Sequence, residues 1–152
     1  MEKLNINNFI NFINFPKKYI KLFKKAAFMT LSSENVKKYR LNFIIMKDEE
    51  IKKLNEIYRK SKYTTDILSF LMIPKLFIGD IYISKNITQK QAKIYNNTWE
   101  QELTYLIIHG ILHIFGYTDY DNISKIKMFN KQDEIFKRLF KIKFKNFKTI
   151  KS

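Results

Sequence analysis

The two histidines of this 152-residue chain, His109 and His113, lie four residues apart in an apolar stretch. Helical residues at this spacing share one face, with Cβ atoms about 5–6 Å apart, so the two imidazoles can bind one metal ion together. Gly116 then favours the end of the helix, because glycine readily adopts the left-handed conformation found there. The turn that follows carries Asp119 and Asp121, either of which can supply a third ligand. Two or three protein ligands with an open position are typical of a catalytic zinc site.

The histidine pair also has a plainer interpretation, because two histidines on an apolar helix can simply belong to the core. The carboxylates directly after the pair favour the metal site. A zinc protease of the helix-motif type is not indicated, since those enzymes need a glutamate immediately after the first histidine as general base. Here that position is Gly110.

The sequence around these residues contains patterns typical of helices and others typical of strands. A small mixed four-stranded sheet is predicted from β-rich runs at residues 41–46, 65–70 and 78–84, with a short edge strand near 3–8. Five to six helices are predicted, the main ones at about 16–31, 48–58, 86–96, 98–115 and 122–141. Thr98 and Gln101 form a capping box at the start of the helix that carries the histidines. The fold class is therefore α+β, with the metal site on a central helix and the turn after it.

Length and composition are those of one domain covering residues 1–152, with a basic tail from about residue 142. The absence of cysteine excludes disulfide partners and thiolate zinc sites, and it fits a reducing cytoplasm. The longest apolar run, from Tyr105 to Tyr117, is too short to span a bilayer. We therefore expect a cytoplasmic protein without a membrane partner.

The formal net charge of +15 suggests a polyanionic partner, with RNA first, DNA second and an anionic membrane third. An AT-rich genome offers another explanation, because the chain is rich in Lys, Asn, Ile, Phe and Tyr and has few arginines. Only Arg40, Arg59 and Arg138 are arginines, and the other cations are lysines. Composition alone leaves both explanations open.

Four segments follow one another along the chain: Leu54-Asn55-x-x-Tyr58-Arg59, Thr65-Asp66-Ile67-Leu68-Ser69-Phe70, Gly79-Asp80-Ile81-x-Ile83 and His109-Gly-x-Leu-His113-x-x-Gly116-Tyr117. In this order they resemble the YbeY family of single-domain bacterial metal-dependent endoribonucleases that act in rRNA maturation. Met128 also falls at the spacing of a methionine of that family. The resemblance covers about residues 41–135, and residues 1–40 match only in their coarse pattern.

The resemblance implies one divalent metal ion, with zinc as the first choice, on His109, His113 and Asp119. The third histidine of the family aligns with Asp119, and its preceding aspartate aligns with Thr118. A carboxylate in place of imidazole should make the metal a weaker Lewis acid and admit iron or manganese more readily. The segment between residues 70 and 79 is also shorter than is usual in the family.

The resemblance also places Arg59 in the cleft as a catalytic and substrate-binding residue, where its guanidinium can bind a phosphate in bidentate fashion. The alternative is a surface arginine favoured by the helix dipole. Lys60, Lys62 and Tyr63 are expected to bind RNA through backbone contacts and ring stacking, or else to form a solvated turn. A basic stripe near the end of the chain has two interpretations, contact with RNA or a solvated face. It comprises Lys137, Lys141, Lys143, Lys145 and Lys148.

Two other acidic residues, Asp66 and Asp80, are predicted to lie at strand ends. There we expect them to hold the turn near the site through backbone hydrogen bonds and to take no part in the chemistry.

By resemblance, the function is that of a single-strand-specific metal-dependent endoribonuclease of rRNA maturation, acting in late 3′-end processing of small-subunit rRNA and in ribosome quality control. The implied partners are rRNA, components of the small ribosomal subunit and an rRNA-associated GTPase. The alternative is a ribosome-associated RNA-binding assembly factor whose metal is mainly structural. A metallohydrolase acting on a small molecule or peptide comes third, because the general-base glutamate is missing and the chain is basic.

Overall fold

The computed structural model describes residues 8–61, 63–73 and 77–140, which form four strands and five α-helices. The strands are β1 (Phe9–Ile13), β2 (Arg40–Met46), β3 (Ile67–Ile73) and β4 (Ile78–Ser84). The helices are α1 (Ile20–Ser33), α2 (Asp48–Arg59), α3 (Lys85–Ile94), α4 (Trp99–Ile114) and α5 (Asn122–Phe140). A 3-10 turn, Lys17–Tyr19, precedes α1.

The strands form one sheet in the order β1-β2-β4-β3. The first three strands of this order run parallel, and β3 pairs antiparallel with β4. The parallel pair β1 and β2 is connected through α1, as parallel strands need a crossover connection. The mixed four-stranded sheet and the α+β class are confirmed.

Helix α4 forms the centre of the core, since ten of its sixteen residues are buried. A Cβ atom at Gly110 would lie 3.0 Å from Ile67 Cδ1 and 3.1 Å from Ile81 Cγ2. Glycine at this position therefore allows α4 to approach β3 and β4 closely. The residue that replaces the glutamate of zinc proteases has a packing role here.

Most predicted elements are found, and the capping box of α4 is confirmed because Thr98 and Gln101 bond each other's backbone N–H groups. The edge strand is β1, later than predicted, and residues 3–7 lie outside the described ranges. β1 takes this register because Ile10 and Phe12 pack against the core while Asn11 and Ile13 face outward. The predicted helix at 16–31 is a 3-10 turn followed by α1.

The strand predicted at residues 65–70 begins at Ile67 and ends at Ile73. Pairing starts there because Ile67 lies opposite Ile83 on β4. Asp66 precedes the strand, where its carbonyl accepts a hydrogen bond from the Ser84 N–H at 2.9 Å.

No helix among the described residues combines the length and the apolarity needed to cross a bilayer.

Candidate metal centre

The end of α4 is closed by a Schellman motif, which fixes the turn beside the histidines. Gly116 has φ +96° and donates its N–H to the His113 carbonyl at 2.9 Å. The Tyr117 N–H reaches back to the Leu112 carbonyl at 3.1 Å. These are the two backbone hydrogen bonds of that motif. The motif also needs one residue in the left-handed conformation, here Gly116, and glycine adopts that conformation most readily. The turn predicted from Gly116 is therefore present.

The two imidazoles point their Nε2 atoms at each other across 2.9 Å. Their Nδ1 atoms are committed elsewhere. His109 Nδ1 lies 3.1 Å from Gln132 Oε1, and His113 Nδ1 lies 3.0 Å from the Tyr117 carbonyl oxygen. The Schellman turn thus supplies the partner of His113, and α5 supplies the partner of His109.

These partners determine the tautomers. A backbone carbonyl only accepts, so His113 carries its proton on Nδ1 and donates it to Tyr117. The Gln132 side-chain N–H donates to the Tyr105 carbonyl at 3.1 Å, which turns Oε1 toward His109 and requires a proton on that Nδ1 as well. Both Nε2 atoms therefore present lone pairs to the same point. Neutral imidazoles with their second nitrogen donated to a carbonyl are the usual form of metal-ligating histidine.

Asp119 is the third member of the cluster, and the ligand atoms of His109, His113 and Asp119 all lie within 4.8 Å of one another. The Nε2 separation is near that of two nitrogens on one ion, since zinc–imidazole bonds are about 2.0–2.1 Å long. Two imidazoles and a carboxylate suit zinc, and the oxygen donor also suits manganese or iron. The residues present therefore fit a divalent metal ion.

Asp121, the other carboxylate of this turn, is engaged in capping α5. Its oxygens accept hydrogen bonds from the Ser124 N–H at 2.8 Å and the Ser124 hydroxyl at 2.9 Å. These bonds, the backbone one first, lower the pKa of Asp121 below its ordinary value. Asp121 does not line the metal cleft, which argues against it as the third ligand.

The cluster opens into a cleft of about 360 Å³. Arg59, at the end of α2, lines this cleft together with the histidine pair and Asp119. The other polar residues that line the cleft are Thr65, Asp66, Ser69, Tyr117, Thr118 and Tyr120. The Ser69 hydroxyl donates to the Gly110 carbonyl at 3.3 Å, so β3 and α4 are joined at the base of the cleft.

The two other acidic residues considered in the sequence have different positions. Asp66 lies at the start of β3, where its carboxylate lines the cleft and accepts from Thr65 and Gln91, each at 3.4 Å. The expectation for Asp80 was wrong, because it lies inside β4 and faces away from α4. Its carboxylate accepts from Asn42 at 3.0 Å and Tyr82 at 3.4 Å.

Lys60, the described basic residue directly after Arg59, does not line the cleft. Lys60 is exposed and left-handed (φ +54°), and the Tyr63 side chain is 80% exposed. The buried Asn55 anchors this segment by donating to the Tyr63 carbonyl at 2.6 Å. Lys62 lies outside the described residues, as do four lysines of the basic stripe, Lys141, Lys143, Lys145 and Lys148. Lys137 is exposed on α5, and Met128 is a core residue.

Two contributors to the site, Gln132 and Glu34, were not found from the sequence. Gln132 is fully buried on α5 and has no local pattern that links it to His109. The Tyr117 hydroxyl donates to Glu34 Oε1 at 2.7 Å, which ties the turn after α4 to the end of α1. This hydrogen bond, with desolvation, raises the pKa of Tyr117 to about 12.

Fold and site together define an α+β protein with a two-histidine, one-carboxylate cluster in a cleft that an arginine also lines. A family model for endoribonuclease YbeY matches residues 5–140 of the chain. This match extends into the region before residue 41, where the sequence motifs gave only a coarse pattern. The chain therefore belongs to the YbeY family.

Individual relatives cover nearly the whole chain. An endoribonuclease YbeY of Endomicrobium trichonymphae is 60% identical over 134 residues, which are 88% of this chain and 95% of the relative. One from Petrotoga mobilis is 37% identical over 143 residues, covering 91% and 96% of the two chains. A solution structure of a Thermotoga maritima protein matches with a TM-score of 0.65 at 30% identity, covering 93% and 95%.

Proposed function

We propose that this protein is a metal-dependent endoribonuclease that cleaves single-stranded RNA in rRNA maturation. The observation that carries the proposal is the convergence of His109 Nε2 and His113 Nε2, 2.9 Å apart, with both Nδ1 atoms committed to other partners. Two lone pairs that face each other repel unless a cation lies between them. Membership of the YbeY family supports the nature of the reaction.

His109, His113 and Asp119 would hold one divalent ion, with zinc the first choice. When bound, such an ion supplies Lewis acidity toward a phosphoryl oxygen and lowers the pKa of a coordinated water. The chain's own contribution is to orient the ligands. Gln132 fixes the ring of His109, the Tyr117 carbonyl fixes that of His113, and the Schellman turn brings Asp119 back to the pair.

Arg59 is proposed as the residue that binds the scissile phosphate. It lines the same cleft as the three metal-binding candidates. A guanidinium can donate two parallel hydrogen bonds to phosphate oxygens and stabilise the charge that they gain as the P–O bond breaks. Lys60, Lys62 and Tyr63 follow directly in sequence and are proposed to bind the flanking RNA.

The enzyme is favoured over a binding factor with a structural metal. Structural zinc sites usually have four protein ligands and no open position. Among the described residues the cluster has three members, and it faces a cleft with an arginine in its lining. An arginine at this place has an evident use in phosphate chemistry and none in a closed structural site.

The biological setting is proposed from the family. It comprises late 3′-end processing of small-subunit rRNA and ribosome quality control in the cytoplasm, with small-subunit components and an rRNA-associated GTPase as partners. The positive charge of the chain is consistent with an rRNA substrate.

The test is cleavage of single-stranded RNA and of a 3′-extended small-subunit rRNA, with and without a chelator. We expect cleavage by the metal-loaded protein, loss of cleavage with chelator and recovery when zinc or manganese is added. The matched control is a His109→Ala/His113→Ala protein from the same purification, which reveals any contaminating nuclease. If the loaded wild type cleaves neither substrate, the binding-factor hypothesis replaces this one.

A further inference from the structure

The positive charge of the chain is unevenly distributed. Residues 8–40, which include β1 and α1, contain eight lysines and arginines and one acidic residue, Glu34, for a net charge of +7. Residues 41–121, which carry the whole metal cleft, contain ten cations and ten acidic residues. The remaining +8 lies in residues 122–152. The excess positive charge therefore lies before and after the segment that carries the metal cleft.

A groove of about 620 Å³ lies within the first of these basic regions, between α1 and the edge strand β1. We call it the basic groove, and it is lined by Asn8, Phe9, Ile10, Asn11, Lys24, Lys25, Phe28 and Tyr39. None of these lining residues is acidic. The Phe28 side chain is 57% exposed although it is large and apolar.

The walls of the basic groove are held by hydrogen bonds across β1 and the segment before β2. The Asn8 side chain donates to the Lys37 carbonyl at 2.6 Å and accepts from the Tyr39 N–H at 2.9 Å. The Arg40 guanidinium lies 4.6 Å from the centre of the Phe9 ring. These contacts hold the Tyr39 backbone and the Phe9 ring at the groove before any ligand binds.

The basic groove is separate from the metal cleft. The cleft takes its strand residues from β3, with Ile67, Ser69 and Leu71, whereas the groove takes its strand residues from β1. These strands are the two opposite edges of the sheet. A ligand that occupies the groove would therefore leave the cleft accessible.

Lysines beside exposed aromatic rings are typical of sites that bind single-stranded nucleic acid, because the lysines pair with phosphates and the rings stack on bases. We infer that the basic groove is a second binding site for single-stranded RNA, which anchors a long substrate while another part of it occupies the metal cleft. This inference rests on the proposed function, because RNA is taken as the substrate. A protein partner fits less well, since an exposed ring and two lysines in a groove without acidic lining residues favour a polyanion with flat bases.

The test compares a short and a long RNA. The probes are a labelled uridine oligonucleotide of about 8 nucleotides, near the site size of a small binding module, and a single-stranded RNA several times as long. Binding is measured by fluorescence anisotropy over a series of salt concentrations. The variants are Lys24→Ala/Lys25→Ala and Phe28→Ala. The matched control is Lys52→Ala/Lys53→Ala, which removes the same charge from exposed positions on α2.

We expect the lysine pair variant to bind the long RNA more weakly and to lower the slope of log affinity against log salt by about 1.4, since each phosphate contact on a single strand contributes about 0.7. Phe28→Ala should weaken binding of the long RNA about five-fold or more through lost stacking. The control should change affinity less than either variant. All three should cleave the short RNA at the wild-type rate, because none alters the metal cleft.

The two hypotheses fail in different ways. If both groove variants bind the long RNA as tightly as the control, the groove is not an RNA site, whether it is empty or binds a protein. Wild type that binds no long RNA at low salt also overturns the inference. If the variants lose long-RNA binding but wild type cleaves neither RNA, the groove inference stands and the endoribonuclease proposal fails.

Discussion

Gln132 on α5 accepts a hydrogen bond from His109 Nδ1 on α4, with 3.1 Å between the nitrogen and the amide oxygen. The same side chain donates to the Tyr105 carbonyl at 3.1 Å, one turn earlier on α4. Gln132 is fully buried, so its amide has a fixed direction and it fixes the tautomer of His109. A residue 23 positions from the histidine thus prepares one nitrogen of the candidate metal centre.

Replacing Gln132 by leucine removes this acceptor and frees the ring of His109 to rotate or change tautomer. Loss of the hydrogen-bonding partner of a ligating histidine typically lowers metal affinity about 10–100-fold. We expect a loss of this size in a zinc titration against a competing chelator. Nitrogen NMR of the metal-free protein should show His109 no longer protonated mainly on Nδ1.

Gln132→Glu is the matched variant, because a carboxylate still accepts from His109 Nδ1. It should bind zinc more tightly than Gln132→Leu, even though its bond to the Tyr105 carbonyl is lost. Equal zinc affinity in wild type and both variants would show that Gln132 serves packing alone.

Replacing His109 and His113 together by alanine should remove the metal while the fold is kept, since the pair lines an open cleft. Elemental analysis should find the bound metal lost from the double variant, with the helical circular dichroism signal retained. A full equivalent of metal in this variant would mean that the ion binds elsewhere.

The two aspartates of the turn should respond in opposite ways. Asp119→Ala should weaken zinc binding and leave stability nearly unchanged, because this side chain is exposed. Asp121→Ala should lower the free energy of unfolding through the lost cap of α5 and affect zinc binding less. Asp119→His should preserve or tighten zinc binding. The reverse ranking of the two alanine variants in a metal titration would move the third ligand to Asp121.

Arg59→Ala should reduce RNA cleavage about 10²–10³-fold, the usual effect of losing one contact to transition-state charge. Metal content should stay the same, and RNA affinity should fall only modestly because many lysines contribute to it. Lys53→Ala removes an exposed charge from the same helix, outside the cleft lining, and serves as the control. Cleavage by Arg59→Ala at the wild-type rate would exclude this residue from the mechanism.

The side chain and the backbone of Tyr117 should affect different properties, the side chain stability and the backbone metal binding. Tyr117→Phe removes the hydroxyl that donates to Glu34. We expect the free energy of unfolding, measured by chemical denaturation, to fall by about 1 kcal/mol, near the middle of the range for such hydrogen bonds. The backbone carbonyl that orients His113 is unchanged, so zinc affinity should be preserved. A large loss of zinc affinity would mean that the tie to Glu34 also controls the position of the turn.

Much of the helix that carries the candidate site could be predicted, because its determinants are close in sequence. The spacing of His109 and His113 predicts that they share a face, and the structure confirms this geometry, although their role as ligands stays a prediction. Gly116 predicted the helix end. Thr98 and Gln101 predicted its start, since a capping box closes within one helical turn.

The position of β1 and the choice between Asp119 and Asp121 were harder to predict from the sequence. Strand β1 was not located from the sequence, because its register depends on pairing with β2, which is about thirty residues away. Ser124 follows Asp121 by three residues, which is a capping pattern visible in the sequence. Local sequence does not say which carboxylate faces the histidines, because that depends on the path of the folded turn.

By itself the sequence determined the chemistry available: two imidazoles on one helical face, a carboxylate-bearing turn, an arginine at a helix end and a strongly basic chain. Only the tertiary structure decided how these groups are used. It brought Gln132 to His109, joined Tyr117 to Glu34 across 83 residues and set Arg59 in the lining of the same cleft. The physical reason is that helix periodicity and capping act over a few neighbouring residues, whereas these relationships depend on how α1, α2 and α5 pack around α4 and the sheet.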